Sequence, residues 1–243
     1  MTIHFVETLL EKLPLEQRAH LRRLRHRLLH PAWLGTIHNR TAPLSSEWGS
    51  ERGTLIDRYY IEHFLNQHRE DICGHVIEIK DSSYTDLFGV DVQHKDVLDI
   101  NPANPHATVI ADLCAADAVA ADQFDCFILT QTLHLIYDIH AAVSHVHRML
   151  RPGGVLLATV PVISRIVPRY GLQTDYWRFT TASCNRLFGD QFGPGQVTIQ
   201  SYGNVSTAIA FLAGMAREEL PDKVLASHDD YFPMLVSIRA VKQ

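Results

Sequence analysis

The chain has 243 residues, 46% of them hydrophobic and 20% charged, which excludes a disordered, collagen-like or low-complexity polymer. Its 22 basic and 27 acidic side chains leave a net charge of -5 with histidine neutral. The broad Lys/Arg excess of a general nucleic-acid binder is therefore missing, and the length suits one large domain or a domain with a small appendage.

No uncharged apolar run reaches the ~18–20 residues that span a bilayer. Glu7, Glu11 and Lys12 sit among the first apolar residues, unlike the basic-then-apolar layout of a signal peptide. Cys73, Cys114, Cys126 and Cys184 form no CxxC pair, so free thiols in a reducing cytoplasm are expected. Fifteen histidines include no HExxH, and His145 and His147 are not spaced to share a helix face, so no metal site is expected.

In chain order, residues 4–30 read as helix, with Leu9, Leu10 and Leu13 before Pro14 and Leu21, Leu24 and Leu28 after it. The second stretch carries Arg18, Arg22, Arg23, Arg25 and Arg27 and stops at His30-Pro31. Such a basic helix suits an anionic partner or membrane surface; the plainer reading is a solvated face with its leucines packed on the domain. Residues 31–56, rich in Pro, Gly and Ser, form an irregular connection, and Asp57–His68 reads as a helix capped by Asp57. The expected organisation is an N-terminal helical extension over 1–47 and a main domain over 48–243.

From residue 74 short apolar runs alternate with helical stretches. Strands are expected over 75–79, 96–100, 107–110, 124–129 and 155–160, with a helix over 139–150 broken by Arg151-Pro-Gly-Gly154. Beyond Pro161 follow a helix at 181–188, a strand at 197–201, a helix at 205–220 and a last strand at 233–241. Continuous apolar strands between helices predict an α/β fold whose parallel sheet is covered on both faces. Ligands of such sheets bind beyond the carboxyl ends of the strands, where strand order reverses. Glu78, Asp99 and Asp112 fall at successive ends, and carboxylates there suit ribose hydroxyls and an adenine amino group. The G-x-G-x-x-G turn of a nicotinamide dehydrogenase is missing.

The stretch from about residue 48 onward resembles class I S-adenosylmethionine-dependent methyltransferases, bacterial type 11-like. The resemblance rests on Val-Ile-Glu-Ile (76–79), Val-Leu-Asp-Ile-Asn-Pro (97–102), Val-Ile-Ala-Asp-Leu (109–113), the block 124–138 and Met-Leu-Arg-Pro-Gly-Gly-Val-Leu-Leu-Ala-Thr-Val-Pro (149–161). Asp-Tyr-Trp-Arg-Phe-Thr (175–180) is similar to a segment after the fifth strand of bacterial methyltransferases linked to glycan or secondary-metabolite pathways. The resemblance implies a Rossmann-like sheet of seven strands, the last antiparallel, and S-adenosylmethionine as cofactor. It places Glu78 and Lys80 by the methionine end, Asp99 and Ile100 at the ribose, Asp112 and Leu113 at adenine, and Thr130 and Gln131 along the other side. More loosely, it puts Arg52 and Tyr59 in a cap.

The implied reaction is O-methylation of a small molecule such as a sugar, a glycan precursor or a secondary metabolite. His134, after the fourth strand, is the candidate base, with Asp175 and Arg178 as further catalytic candidates. Tyr137, Tyr176 and Trp177 are candidates for the acceptor. The family's E/D-x-G-x-G-x-G loop here reads Glu78-Ile-Lys-Asp-Ser-Ser-Tyr-Thr85, with Lys80 in the first glycine position. That departure keeps a second reading open, a protein of this fold that does not methylate.

Overall fold

The computed structural model describes residues 14–29, 40–167 and 171–243. The chain divides into two compact units. One takes the described residues up to Tyr59 with Ser206–Ser227, the other Tyr60–Val205 with His228–Gln243.

The second unit is built on one seven-stranded sheet: β1 (Gly74–Ile79), β2 (Val92–Asp99), β3 (Val109–Ile110), β4 (Phe124–Thr130), β5 (Leu150–Pro161), β6 (Val197–Tyr202) and β7 (Leu235–Val241). The order across the sheet is β3-β2-β1-β4-β5-β7-β6. Strands β1 to β5 pair in parallel, and β7 runs antiparallel to both β5 and β6. This is the expected mostly parallel sheet with an antiparallel last strand. Chain direction across the sheet reverses between β1 and β4, so the carboxyl ends of β1, β2 and β4 open onto a switch point.

The central strands are apolar without alternation because both faces are covered. Val76, Ile77 and the run Cys126–Leu129 are fully buried. The helices are α1 (Leu15–Leu29), α2 (Ile56–Gln67), α3 (Ser83–Phe88), α4 (Ile139–Met149), α5 (Thr181–Phe192), α6 (Val205–Ala213) and α7 (Asp222–Leu225). Asp138 caps α4 by accepting from the Ala141 amide at 2.9 Å, and the helix buries Ala142, Val143, Val146 and Met149. Thr180 caps α5 by accepting from the Ser183 amide at 3.1 Å. No described helix is long and apolar enough to cross a membrane.

Several expected boundaries move. Of the helix expected over 4–30, residues 4–13 and His30 lie outside the described residues. In α1, Leu21, Leu24 and Leu28 are exposed rather than packed. Asp57 lies inside the first turn of α2 instead of preceding it. β2 starts at Val92, four residues early, while β3 shrinks to two residues. The helix expected to run to Leu220 stops at Ala213, because Gly214 turns left-handed at φ +76° against the backbone of Ser45.

Within the first unit, residues 45–59 are laced to 213–219. Arg52, fully buried, donates to Glu219 at 2.9 and 2.5 Å, and the Thr54 amide donates to Glu218 at 2.9 Å.

The Arg-Pro-Gly-Gly segment, expected to break the helix before β5, lies inside β5 and ties its start to the chain end. Gly153 N–H donates to the Lys242 carbonyl at 2.7 Å, and Lys242 N–H donates to the Gly154 carbonyl at 2.9 Å. Gly153 has φ +83° with open space around it, whereas a Cβ on Gly154 would lie 2.9 Å from the carbonyl oxygens of Arg151 and Phe124. Gly153→Ala should therefore cost about 1–2 kcal/mol through backbone strain alone. Gly154→Ala should cost more, because two backbone oxygens must shift; urea unfolding of the two variants measures the difference.

Candidate active site

The cleft begins with Glu78, at the end of β1 and only 3% exposed. Its carboxylate accepts from the amides of Tyr84 at 3.1 Å and Thr85 at 2.8 Å, and from Thr85 Oγ1 at 2.8 Å. Burial pushes its pKa up to about 7 against the opposing hydrogen bonds from Thr85 and Tyr84. Those three donors fold residues 80–85 back over β1 and start α3. Glu78 thus shapes the loop from inside instead of facing a ligand.

Lys80 takes the conformation that a glycine would adopt, φ +75°. Its amide donates to the Leu98 carbonyl at 2.9 Å, and its carbonyl accepts from Asn104 Nδ2 at 2.7 Å. The same Asn104 nitrogen donates to Asp99 Oδ2 at 2.6 Å, while Asn101 N–H donates to Asp99 Oδ1 at 2.9 Å. Each Asp99 oxygen therefore holds one hydrogen bond and keeps a lone pair for a ligand hydroxyl. The cleft between these loops has a volume of about 630 Å³, with Lys80, Asp81, Ser82, Asp99, Asn101 and Asn104 among its walls.

Further along the same sheet edge, Asp112 is exposed and caps a short turn by accepting from Cys114 N–H at 2.9 Å. Leu113 is buried in that turn, and Ile100 is 65% exposed beside Asp99. Thr130 ends β4 opposite Thr159 of β5. Gln131 sits at φ +46° with its amide donating to the Thr159 carbonyl at 2.9 Å.

His134 is buried, and among the described residues its Nδ1 has no hydrogen-bond partner. Burial lowers its pKa to about 4, with Asp175 pulling it up and Arg178 down. An imidazole that weakly basic is a poor match for removing a hydroxyl proton near neutrality. Its backbone carbonyl accepts from the amides of Tyr176 at 2.8 Å and Trp177 at 3.2 Å. Asp175 and Arg178 are committed to each other at 2.5 Å; Asp175 also accepts from Val167 N–H, and Arg178 donates to the carbonyls of Ser164 and Arg165. The pair fastens the loop after β5.

That loop presents an aromatic face. Tyr137 packs edge-on to Tyr176 with ring centres 5.3 Å apart and lies 6.3 Å from Trp177. Trp177 Nε1 donates to the Ile136 carbonyl at 2.9 Å, and all three side chains remain exposed. The three acceptor candidates thus come together, on loops that follow β4 and β5. Arg52 and Tyr59 belong to the first unit, where Arg52 bonds Glu219 and the Arg217 guanidinium lies 5.5 Å over the Tyr59 ring. Asn101 and Asn104 escaped sequence reasoning, although the paired Asn-Pro steps after Asp99 mark a turn there.

Residues 73–158 match a family model described as a methyltransferase domain. That segment, about a third of the chain, is therefore similar to the methyltransferase domain family. Its fold is similar to that of a SAM-dependent methyltransferase from Archaeoglobus fulgidus, at TM-score 0.50 and 11% identity over 76% of this chain and 94% of that one. It is equally similar to the [4+2]-cyclase SpnF, at TM-score 0.50 and 12% identity over 76% and 80% of the two chains. At those identities the likeness is one of fold. No curated protein matches the sequence.

The Archaeoglobus fulgidus protein of similar fold is described as dependent on SAM, S-adenosylmethionine. The cleft of this chain fits such a molecule chemically: spare lone pairs on Asp99 suit a vicinal diol, and Lys80 suits a carboxylate. Among the described residues the Lys80 ammonium has no hydrogen-bond or ion-pair partner.

A histidine whose folded-state pKa is lowered binds protons more readily when unfolded, so its contribution to stability is lost as pH falls from about 6.5 towards 4. Between about pH 7.5 and about pH 5, the protein should lose about 2 kcal/mol on this account. His134→Phe should lose correspondingly less, which urea unfolding at the two pH values measures.

Proposed function

We propose that this chain transfers a methyl group from S-adenosylmethionine to a hydroxyl of a small molecule. The observation that carries the reading is the pair of unsatisfied lone pairs on Asp99, at a sheet switch point, facing a cleft of about 630 Å³. When bound, the cofactor would supply an electrophilic methyl, which an acceptor oxygen would take in line as the bond to the cationic sulfur breaks and a neutral thioether leaves. Asp99 accepts the two ribose hydroxyls, and Asp112 with the Leu113 backbone takes the adenine edge. Lys80 receives the carboxylate of the methionine end, and Thr130 and Gln131 bound the opposite wall.

Tyr137, Tyr176 and Trp177 form the platform for the acceptor, since exposed aromatic faces suit a sugar or a flat ring. Orientation supplies much of the acceleration in such a displacement. Because His134 is a weak base, an acidic hydroxyl, phenolic or enolic, suits the site better than an aliphatic sugar hydroxyl. Its proton passes to solvent at the exposed platform. The four cysteines are free, which suits the reducing cytoplasm.

A second reading, a protein of this fold that does not methylate, is favoured by Lys80, Ser82 and Tyr84 replacing three glycines. SpnF, described as a cyclase, has a similar fold.

Calorimetry with S-adenosylmethionine and S-adenosylhomocysteine separates the two readings. Saturable binding of both supports the first; no heat with either overturns it. Asp99→Ala should weaken binding by about tenfold or more, since a hydrogen bond to a charged acceptor is worth about 1.5–3 kcal/mol. Lys80→Gly should raise stability by about 1–2 kcal/mol by removing left-handed strain, yet bind the cofactor less well. Tighter binding in that variant would remove the proposed role of the ammonium.

A further inference from the structure

We propose that His75, His94 and Asp96 form a binding site for a divalent transition-metal ion of the zinc class, distinct from the cleft. Parallel pairing of β1 with β2 sets His75 opposite His94 and Ile77 opposite Asp96, so all three side chains share one face of the sheet. Both imidazoles direct Nε2 at the same carboxylate oxygen: His75 lies 2.7 Å and His94 3.7 Å from Asp96 Oδ2. The three potential ligand atoms lie within 4.8 Å of one another. An ion with bonds of about 2.0–2.1 Å and tetrahedral angles needs ligand atoms about 3.3 Å apart. The observed separations straddle that value, so small ring rotations admit the ion.

The supporting contacts are those of a built site. Thr108 Oγ1 donates to Asp96 Oδ1 at 2.6 Å and accepts from Val97 N–H at 2.9 Å, which fixes the carboxylate and leaves Oδ2 for the metal. The Phe124 ring packs edge-on to His75 at 4.7 Å and holds its plane. The His94 side chain is 66% exposed, which leaves a fourth position to water. Two nitrogens and one oxygen select zinc-class ions over magnesium or calcium, which prefer oxygen throughout.

His94 lies five residues before Asp99, about 16 Å away at the strand rise, so the ion would not enter the cleft. Its effect is to fasten β1 to β2 at the end of the strands remote from the ligand-binding edge.

The test titrates the full chain with zinc chloride in a non-chelating buffer at about pH 7.5. We expect one saturable site in the unaltered protein and a rise in melting temperature on adding zinc. His94→Ala and Asp96→Asn should each weaken zinc binding by about tenfold or more. His140→Ala, which changes an exposed histidine on α4, should bind as the unaltered chain does. The proposal is overturned if no saturable zinc site exists, if His94→Ala binds with undiminished affinity, or if magnesium binds as tightly as zinc.

Discussion

One buried carboxylate organises the end of the sheet on which the cleft depends. Glu78 is withdrawn from solvent, and three donors from Tyr84 and Thr85 satisfy it. An unsatisfied acceptor at that depth would cost about 1–3 kcal/mol, so the loop is bound to fold where it does. From there the constraint passes outward. Lys80 is driven left-handed, its carbonyl meets Asn104, and Asn104 reaches Asp99. The conformation of the first loop and the orientation of the second acid are therefore one arrangement.

This chain of bonds explains how a loop without glycine keeps the path of a glycine-rich one. Backbone strain at Lys80, about 1–2 kcal/mol, is offset by the hydrogen bonds that surround it. A side chain then stands where a glycine would leave open space, and its charge becomes part of the cleft. Across the same sheet edge, a second set of polar contacts serves a different end. Asp175 and Arg178 spend themselves on the backbone of the loop after β5, and the result is the exposed grouping of Tyr137, Tyr176 and Trp177. In both places charged groups are satisfied within the protein, Glu78 by the donors of its own loop and Asp175 by Arg178.

The strands of the sheet were legible because burial on both faces demands unbroken apolar runs, as in Cys126–Leu129 and Val155–Val160. Their ends were less so. β2 begins at Val92 through Gln93, His94 and Lys95, polar residues that only pairing with β1 extends into a strand. The helix after β6 stops at Gly214 because the Ser45 backbone lies against it, and no local pattern announces a contact 169 positions away. The leucines of α1 keep helical spacing while remaining exposed, so periodicity gave the helix but not its burial.

The amino-acid order alone settled the alternation of strands and helices, the acids at successive strand ends and the aromatic residues after β5, because these follow from local periodicity and turn chemistry. Tertiary structure decided which of those groups remain available. It buried Glu78 and His134, paired Asp175 with Arg178, and left Asp99 with spare lone pairs. It also brought His75 to His94 and Asp96 across a strand pair. Hydrogen-bond partners and burial depend on residues distant in sequence, and strand register converts separation along the chain into contact.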